Sequence, residues 1–567
     1  MATLSSPPAT AGARTPSPAG SRGERTPLRR WSLRDGAAVL SGTALISYQG
    51  SRLGRWVVDD AAVTFAYARS VATGLGPVAQ AGAHPVEAYS NPSWLVLLTV
   101  GRRLGLFDHR TWFGVSDLVL YPKALAVLCT VGILASITAA ARVLVRHAWL
   151  VTLVATVLLG FNASFLVWMF SGLENPLYAL TVSVLAALLV RATARGGETG
   201  LGLAVGVGLL TLLAALTRPD GSIYVGAYPL LLLVLLKRST LGDSIRAAAV
   251  AALTWLVPYV GFLLWRHSEF GLWVPNTAVA KSQTVPDPVG LAKVGDLLDF
   301  AGWSVVLASV LVLGTLLARP GRNRRALLGV LAPLLVALVD YGILGQDWMP
   351  LDRFATPVWA LSAMVVAIGA VLTLEQSRLR AKVLWSVTAL AVLGLSLPVQ
   401  RTDFLSFRKS PTVPMCNVAN EGKDFNTLAD LLGVRQGSLL IPDIGGVLLT
   451  TRLTVVDSAG LANSAIAKAF QDDDRRAMND YIYGVAEPTF VQVHSAWMIP
   501  AEDPRLRQDY DVLYTRAKLW DYVRKDAVPD AAALAAARHW AATEIPKQGS
   551  AKLKGCGNLT EGAAFPS

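Results

Sequence analysis

The chain has 567 residues, 53% of them hydrophobic and 16% charged, with a mean hydropathy of +0.45. Soluble domains carry about 25% charged residues, so a purely water-soluble fold is excluded. The formal charge of +12 does not call for nucleic acid, because the cations cluster in short loops between apolar runs, where they set membrane orientation.

Residues 1–35 are rich in Ala, Ser, Pro and Thr and carry Arg14, Arg22, Arg25, Arg29, Arg30 and Arg34. They read as a disordered cytoplasmic arm. The run GAAVLSGTALISY then forms an uncleaved first span. Arg52 and Arg55 at its far end are outweighed by the six arginines before it. The amino terminus is therefore expected inside, and the first outer loop (52–115) outside.

That loop opens on two adjacent carboxylates, Asp59 and Asp60, continues as a helix-like run, and closes on Glu87, Tyr89 and Asn91. A carboxylate pair at a membrane surface is costly unless water, a cation or a substrate hydroxyl meets it. The pair reads either as a solvated helix cap or as catalytic carboxylates. The apolar segment 93–107 is about half the length of a good span and contains Arg102 and Arg103. It is expected to lie in the outer interface as an amphipathic helix.

Further spans are expected at about 116–141, 148–169, 176–191, 200–216, 221–236, 247–265, 301–318, 326–344, 354–374 and 383–399, about eleven in all. This count makes every cytoplasmic loop basic: Arg142/Arg146, Arg191/Arg195, Lys237/Arg238/Arg246, Arg319/Arg322/Arg324/Arg325 and Arg378/Arg380/Lys382. Treating 93–107 as a span would put those clusters outside. The other face then receives SGLENP, TRPDG, HSEFGLWVPNTAVAKSQ and GQDWMPLDRF. Glu174, Arg218, Asp220, Asn276, Lys281, Asp347 and Arg353 share it with Asp59 and Asp60. Each alone reads as a solvated charge or cap; as a set they point to one outer cavity.

From about residue 400 the composition turns polar. SLLIPD, LTVVDSAG and TFVQVHSAW read as short buried strands, and VPDAAALAAARHWAATEI as an amphipathic helix. Residues 400–567 are thus expected to form an extracytoplasmic α/β domain after a transmembrane domain at 36–399. Cys416 and Cys556 either pair there or stay free thiols; Cys129 lies in an apolar run. There is no Walker-type loop or nucleotide fingerprint, so energy for chemistry on this face would arrive in a lipid-borne substrate.

Several stretches now gain weight together: VVDDAAVTFAYARSVATGLGPV with HPVEAYSNPSW, FSGLENPLYAL, TRPDG, GLWVPNTAVAK, GQDWMPLDRF and LTVVDSAGLAN. In this order the chain resembles GT-C membrane glycosyltransferases, and more closely the terminal β-(1→2) arabinofuranosyltransferase family of actinobacterial cell-wall assembly, over about residues 36–500. The resemblance implies a polytopic GT-C-like fold in the plasma membrane. It implies transfer of D-arabinofuranose from decaprenyl-phospho-arabinose to a cell-wall glycan such as arabinan. Another polyprenyl-phosphate sugar such as mannose, or a lipid-linked sugar flippase, is the alternative. The expected partners are the lipid donor, the polysaccharide acceptor and membrane lipids, with no nucleic acid.

Such a transfer needs a base for the acceptor hydroxyl and cations for the leaving phosphate. The resemblance suggests Asp59 as base, with Asp60 orienting the loop or meeting a cation. No cofactor is required, and a divalent ion held by Asp59 and Asp60 stays open. Arg218, Lys281 and Arg353 are candidates for the phosphate, His494 a poorer one. Glu174 and Asp347 are candidates for sugar hydroxyls, with Glu87, Tyr89 and Asn91 beside them. Trp94, Trp273 and Trp348 either stack on sugars or anchor the interface.

Overall fold

The segment Ser32-Leu-Arg-Asp35 fixes where the first helix starts. Ser32 Oγ accepts from Asp35 N–H at 3.2 Å while Asp35 Oδ2 accepts from Ser32 N–H at 3.0 Å, a reciprocal cap. Helix α1 runs from there over Leu33–Ser51. The structure, a computed structural model, describes residues 31–282, 288–345, 347–494 and 497–548. Most of the amino-terminal arm, and Cys556, lie outside these residues.

The first outer loop holds α2 (Asp59–Ala72) and α3 (Pro92–Arg103). At 12 residues, α3 is about 18 Å long, short of the hydrocarbon thickness. Its Trp94 and Leu98 are buried, while Val96 and Val100 face outward. A two-stranded ribbon, β1 (Thr111–Trp112) and β2 (Val115–Ser116), leads into α4 (Asp117–Ala141). The bundle continues with α5 (Ala148–Gly160), α6 (Ala163–Met169), α7 (Asn175–Thr193) and α8 (Leu201–Thr217). Then come α9 (Ala227–Val234), α10 (Leu241–Phe270), the short α11 (Asn276–Ala280), α12 (Val294–Ala301) and α13 (Trp303–Ala318). It closes with α14 (Arg322–Ile343), α15 (Thr356–Gln376) and α16 (Leu379–Lys409).

Each segment read as a span is helical. Among the described residues, 6 helices are long and apolar enough to cross a membrane unaided, and up to 8 if each bent pair is one span. This is a multi-pass membrane protein. The stretch 148–169 is not one straight span: α5 and α6 meet at 85°. The new helix start is provided for, because Asn162 Oδ1 accepts from Phe165 N–H (2.7 Å) and Gln400 Oε1 from Ala163 N–H (3.0 Å). A second bend, of 100°, separates α12 from α13.

Polar groups sort to the two ends of the bundle. At one end Asp35 pairs with Arg142 (3.9 Å), Glu375 accepts from the Arg146 and His147 backbones, and Arg325 pairs with Glu198. These are the basic loops, gathered together. The opposite end carries the first outer loop and the tail.

The tail begins with α17 (Met415–Leu431). Its sheet contains β3 (Ser438–Ile441), β4 (Thr454–Asp457), β5 (Phe490–His494), β6 (Tyr510–Arg516) and β7 (Leu519–Arg524), in the order β4-β3-β5-β7-β6. The first three strands are parallel, with α18 (Gly445–Thr450) crossing from β3 to β4; β7 runs antiparallel to both β5 and β6. A helix at Ala531–Gln548 follows, with Ala537 and Ala541 buried. Cys416 is disulfide-bonded, and Cys129 is a buried free thiol.

Inside the first loop, Arg69 forks onto Asp108 through Nε and Nη2, both at 2.6 Å, and Arg102 reaches the same carboxylate at 3.1 Å. Removing one partner of such a buried set leaves a charge uncompensated. Asp108→Ala is expected to destabilise the protein by about 3–5 kcal/mol, read as thermal unfolding of the detergent-solubilised chain. An unchanged melting curve would show that the network carries no such load.

Candidate active site

The entry to α2 is stitched to the start of the tail. Val57 O accepts from Met415 N–H at 2.9 Å, Asp59 N–H donates to Val413 O at 3.0 Å, and the buried Trp56 donates Nε1–H to Thr412 O at 2.8 Å. Successive residues on a helix are about 100° apart, so Asp59 and Asp60 look in different directions. Asp59 looks into the tail domain and is 3% exposed. Its Oδ1 accepts from Gly446 N–H at 2.7 Å and its Oδ2 from Gly445 N–H at 2.9 Å. Only glycines fit: a Cβ at 445 would lie 2.0 Å from the Asp59 carbonyl oxygen, and one at 446 would lie 2.3 Å from Ala419 N.

Asp60 looks the other way, into a cavity of about 440 Å³. Thr64 and the stretch Ala88–Asn91 line one side, Glu174, Arg218 and Asp220 another, and Lys281, Asp340 and Arg353 a third. Leu461 of the tail closes it. Burial raises the Asp60 carboxyl above the ordinary aspartate value, opposed by the positive charges of Lys281 and Arg353. Burial also lowers the Lys281 ammonium, with Asp60 holding it up. Arg353 Nη1 stands 3.8 Å from Asp60 Oδ2 and its Nε pairs with Asp347 at 2.7 Å. The Lys281 ammonium makes no hydrogen bond or ion pair among the described residues, while its backbone N–H donates to Thr277 O at 3.3 Å.

One polar chain crosses the cavity wall. Thr64 Oγ1 donates to Asn91 Oδ1 (3.2 Å), Asn91 Nδ2 to Glu174 Oε2 (2.7 Å), and Arg218 Nη1 to Glu174 Oε1 (3.2 Å). Arg218 Nε also meets both oxygens of Asp220 at 3.0 Å. Phe354 is flanked by two guanidiniums, Arg218 at 4.4 Å and Arg353 at 4.8 Å from the ring centroid, a favourable charge–ring contact.

The structure therefore brings together Asp60, Tyr89, Asn91, Glu174, Arg218, Asp220, Lys281 and Arg353. Five expected residues are placed off the lining. Asp59 is turned away and its oxygens are occupied by glycine amides. Glu87 is buried against Arg266, with Nε–Oε2 at 2.7 Å; burial pushes its carboxyl up to about 7 against the pull of that arginine. Asn276 donates Nδ2–H to the carbonyls of Gly460 (2.7 Å) and Leu461 (2.8 Å), fastening α11 to the tail. Asp347 stands behind Arg353 as its ion-pair partner. His494 lies on β5, where its Nε2 meets Asp443 Oδ2 at 3.1 Å. Trp94 is a core residue donating to Gly172 O at 3.0 Å, whereas Trp273 and Trp348 are exposed.

Asp340 was not anticipated. It lines the cavity from α14, is buried, and accepts from Tyr178 Oη at 3.4 Å. A lone carboxylate inside the apolar run LVALVDYGIL was the available signal. Nothing in the sequence marked Gly445 and Gly446. Among the described residues no group of three His, Cys, Asp or Glu side chains could hold a metal ion, and each Asp59 oxygen is met by a glycine amide on the side away from Asp60.

No family model matches the chain, and no curated protein matches it in sequence. Among solved structures it is similar to ArnT from Cupriavidus metallidurans. The apo form is 15% identical with a TM-score of 0.54, over 88% of this chain and 100% of that one. The form bound to undecaprenyl phosphate gives 15% and 0.52, over 87% and 99%. Archaeal oligosaccharyltransferase AglB from Archaeoglobus fulgidus gives 11% identity and 0.48, over 88% and 75%. Arabinofuranosyltransferase AftD from Mycobacteria gives 12% and 0.47, over 86% of this chain and 40% of that one. The likeness to ArnT shows the fold, which is GT-C.

If Asp59 is a joint, its loss should be felt in assembly. Asp59→Asn turns an amide N–H toward a glycine N–H and is expected to destabilise the protein by roughly 1–3 kcal/mol, seen as a lower melting temperature. Gly445→Ala should do the same. An Asp59→Asn protein of normal stability but without activity would instead give Asp59 a chemical role.

Proposed function

We propose that this chain is a membrane glycosyltransferase that moves a sugar from a polyprenyl-phosphate donor to a glycan acceptor, at the face opposite the basic loops. The observation that carries the reading is the Asp60 carboxylate facing two cations, Lys281 and Arg353, in a cavity at one end of an apolar bundle. ArnT, which shares the fold, has been seen with undecaprenyl phosphate, and this supports the donor class.

The chemistry follows from the charges. The acceptor hydroxyl attacks C1 of the donor sugar while its proton passes to Asp60. The C1–O bond to the phosphate breaks, and its electron pair leaves with polyprenyl phosphate. Lys281 and Arg353 meet the charge that develops. Burial raises the Asp60 pKa toward the operating pH, where a general base works best. Arg218 is already committed to Glu174 and Asp220, so it shapes the wall; Glu174, Asn91 and Asp340 are placed to meet sugar hydroxyls.

The finer reading is transfer of D-arabinofuranose from decaprenyl-phospho-arabinose onto arabinan, supported by the order of the six motifs. In this reading residues 36–399 form the transmembrane catalytic domain of a plasma-membrane protein. The amino terminus is cytoplasmic, and residues 400–567 are an extracytoplasmic domain. The bundle end that gathers the basic loops supports this orientation.

Purified protein given decaprenyl-phospho-arabinose should form an arabinosyl linkage; a product only from polyprenyl-phospho-mannose would replace arabinose by mannose. Asp60→Asn should lower the transfer rate by about 10²–10⁴-fold with donor affinity kept, and near-normal turnover would refute the base. Because the base must be ionised, the rate should rise with pH through a midpoint above the ordinary aspartate value. Cysteines placed at Gly105 and Asp430 should react with an impermeant thiol reagent from outside; protection of both would invert the topology.

A further inference from the structure

A second cavity, of about 250 Å³, lies inside the tail between α17, the sheet and the last helix. Its lining is polar on three sides: Asn417, Asn420, Glu421 and Asp424 from α17, Gln492 from β5, and Asp521 from β7. Phe425, Tyr514, Arg516 and the apolar Leu428, Leu519 and Ile545 complete it. Gln492 is 2% exposed; its Nε2 donates to Asp521 Oδ1 at 3.0 Å. Its Oε1 is buried with no hydrogen-bond partner among the described residues. A buried amide oxygen left without a donor is costly, and a ligand hydroxyl entering this cavity would supply one.

The rest of the lining says what kind of ligand that is. Among the described residues no three acidic, His or Cys side chains converge on a metal position, and Arg516 sits on the wall, so a cation fits poorly. An anion would meet Glu421, Asp424 and Asp521. Burial pushes Asp521 up to about 7 and raises Glu421 well above its ordinary value, with Asp443, Asp521, Asp59 and Asp424 adding to the rise. Carboxyls that take up a proton both donate to and accept from hydroxyls. With three amides and two aromatic rings beside them, they suit a neutral polyhydroxylated molecule.

The cavity shares the tail with the Asp59 joint: its α17 begins at Met415, whose N–H is bonded to Val57 O. Glu421 lies within electrostatic reach of Asp59 and Asp443, and Asp443 in turn acts on Asp60. His494, bonded to Asp443, acts on Asp521.

We propose that the tail cavity is a binding site for a neutral sugar residue of the acceptor glycan, remote from the residue that is glycosylated. The proposal rests on the transferase reading above for its ligand class.

The test uses the full-length protein in detergent, with a linear arabinofuranose hexasaccharide and the corresponding disaccharide as probes. The hexasaccharide should bind saturably to wild type and to Asp60→Asn alike. Asn420→Ala and Gln492→Ala should weaken that binding about five- to tenfold, the loss of one or two hydrogen bonds. The preference for hexasaccharide over disaccharide in acceptor KM should fall by the same factor. Asn420→Ala, on a half-exposed side chain, keeps the test alive if Gln492→Ala fails to fold. Equal hexasaccharide binding in all variants would overturn the proposal, as would calcium chloride binding at this cavity in place of the sugar. Gln492-dependent binding without any transfer would sink the transferase reading and leave the site. Transfer indifferent to these variants and to acceptor length would do the reverse.

Discussion

Two glycine amides held by one carboxylate join the halves of this protein. Asp59 stands at the start of α2, Gly445 and Gly446 at the start of α18, and no side chain can come between them. The contact decides what its neighbour can do. With Asp59 pinned toward the tail, the helical turn directs Asp60 into the cavity, and the main-chain bonds at Val57, Asp59 and Met415 hold that direction. Asn276 repeats the device on another wall, tying α11 to the carbonyls of Gly460 and Leu461 and so presenting Lys281 one turn later. The tail is a structural wall of the cavity.

Within that frame the charges fall into two groups. Arg218, Glu174, Asp220 and Asn91 satisfy one another, which fixes the wall in place before any ligand arrives. Asp60, Lys281 and Arg353 are looser: Arg353 reaches Asp60 only at 3.8 Å. A group of opposite charges held apart by their supports can exchange its internal attraction for a phosphate and a hydroxyl at little reorganisation cost. Arg353 is itself anchored by Asp347 at 2.7 Å, so it is the contact to Asp60, and not the arginine, that is loose.

Much of this was legible in the chain. Hydrophobic runs and basic loops placed the helices, and the strands at 438, 454 and 490 were visible as short apolar runs between turn residues. The motifs that share the outer face did converge on one cavity. The choice between Asp59 and Asp60 was not legible, because reading the pair as extended gives opposite-facing side chains without saying which side is the cavity. The answer depends on Gly445 and Gly446, several hundred residues away in sequence, and on a helix that begins at Asp59 itself. Glu87 was misplaced for a similar reason: its partner Arg266 sits in the polar tip of α10, where a solvated cation is the ordinary reading. The straight span at 148–169 failed because hydropathy does not register a cap, and Asn162 with Gln400 supplies one in the middle of an apolar stretch.

The separation of the joint's partners also orders events during synthesis. Asp59 leaves the ribosome 386 residues before Gly445 and 387 before Gly446. Throughout that interval the bundle is being threaded into the bilayer while the carboxylate remains in water. The cavity lacks its Leu461 wall until the tail has been made and has folded. The shape of the cavity is thus completed by one of the last segments to be made.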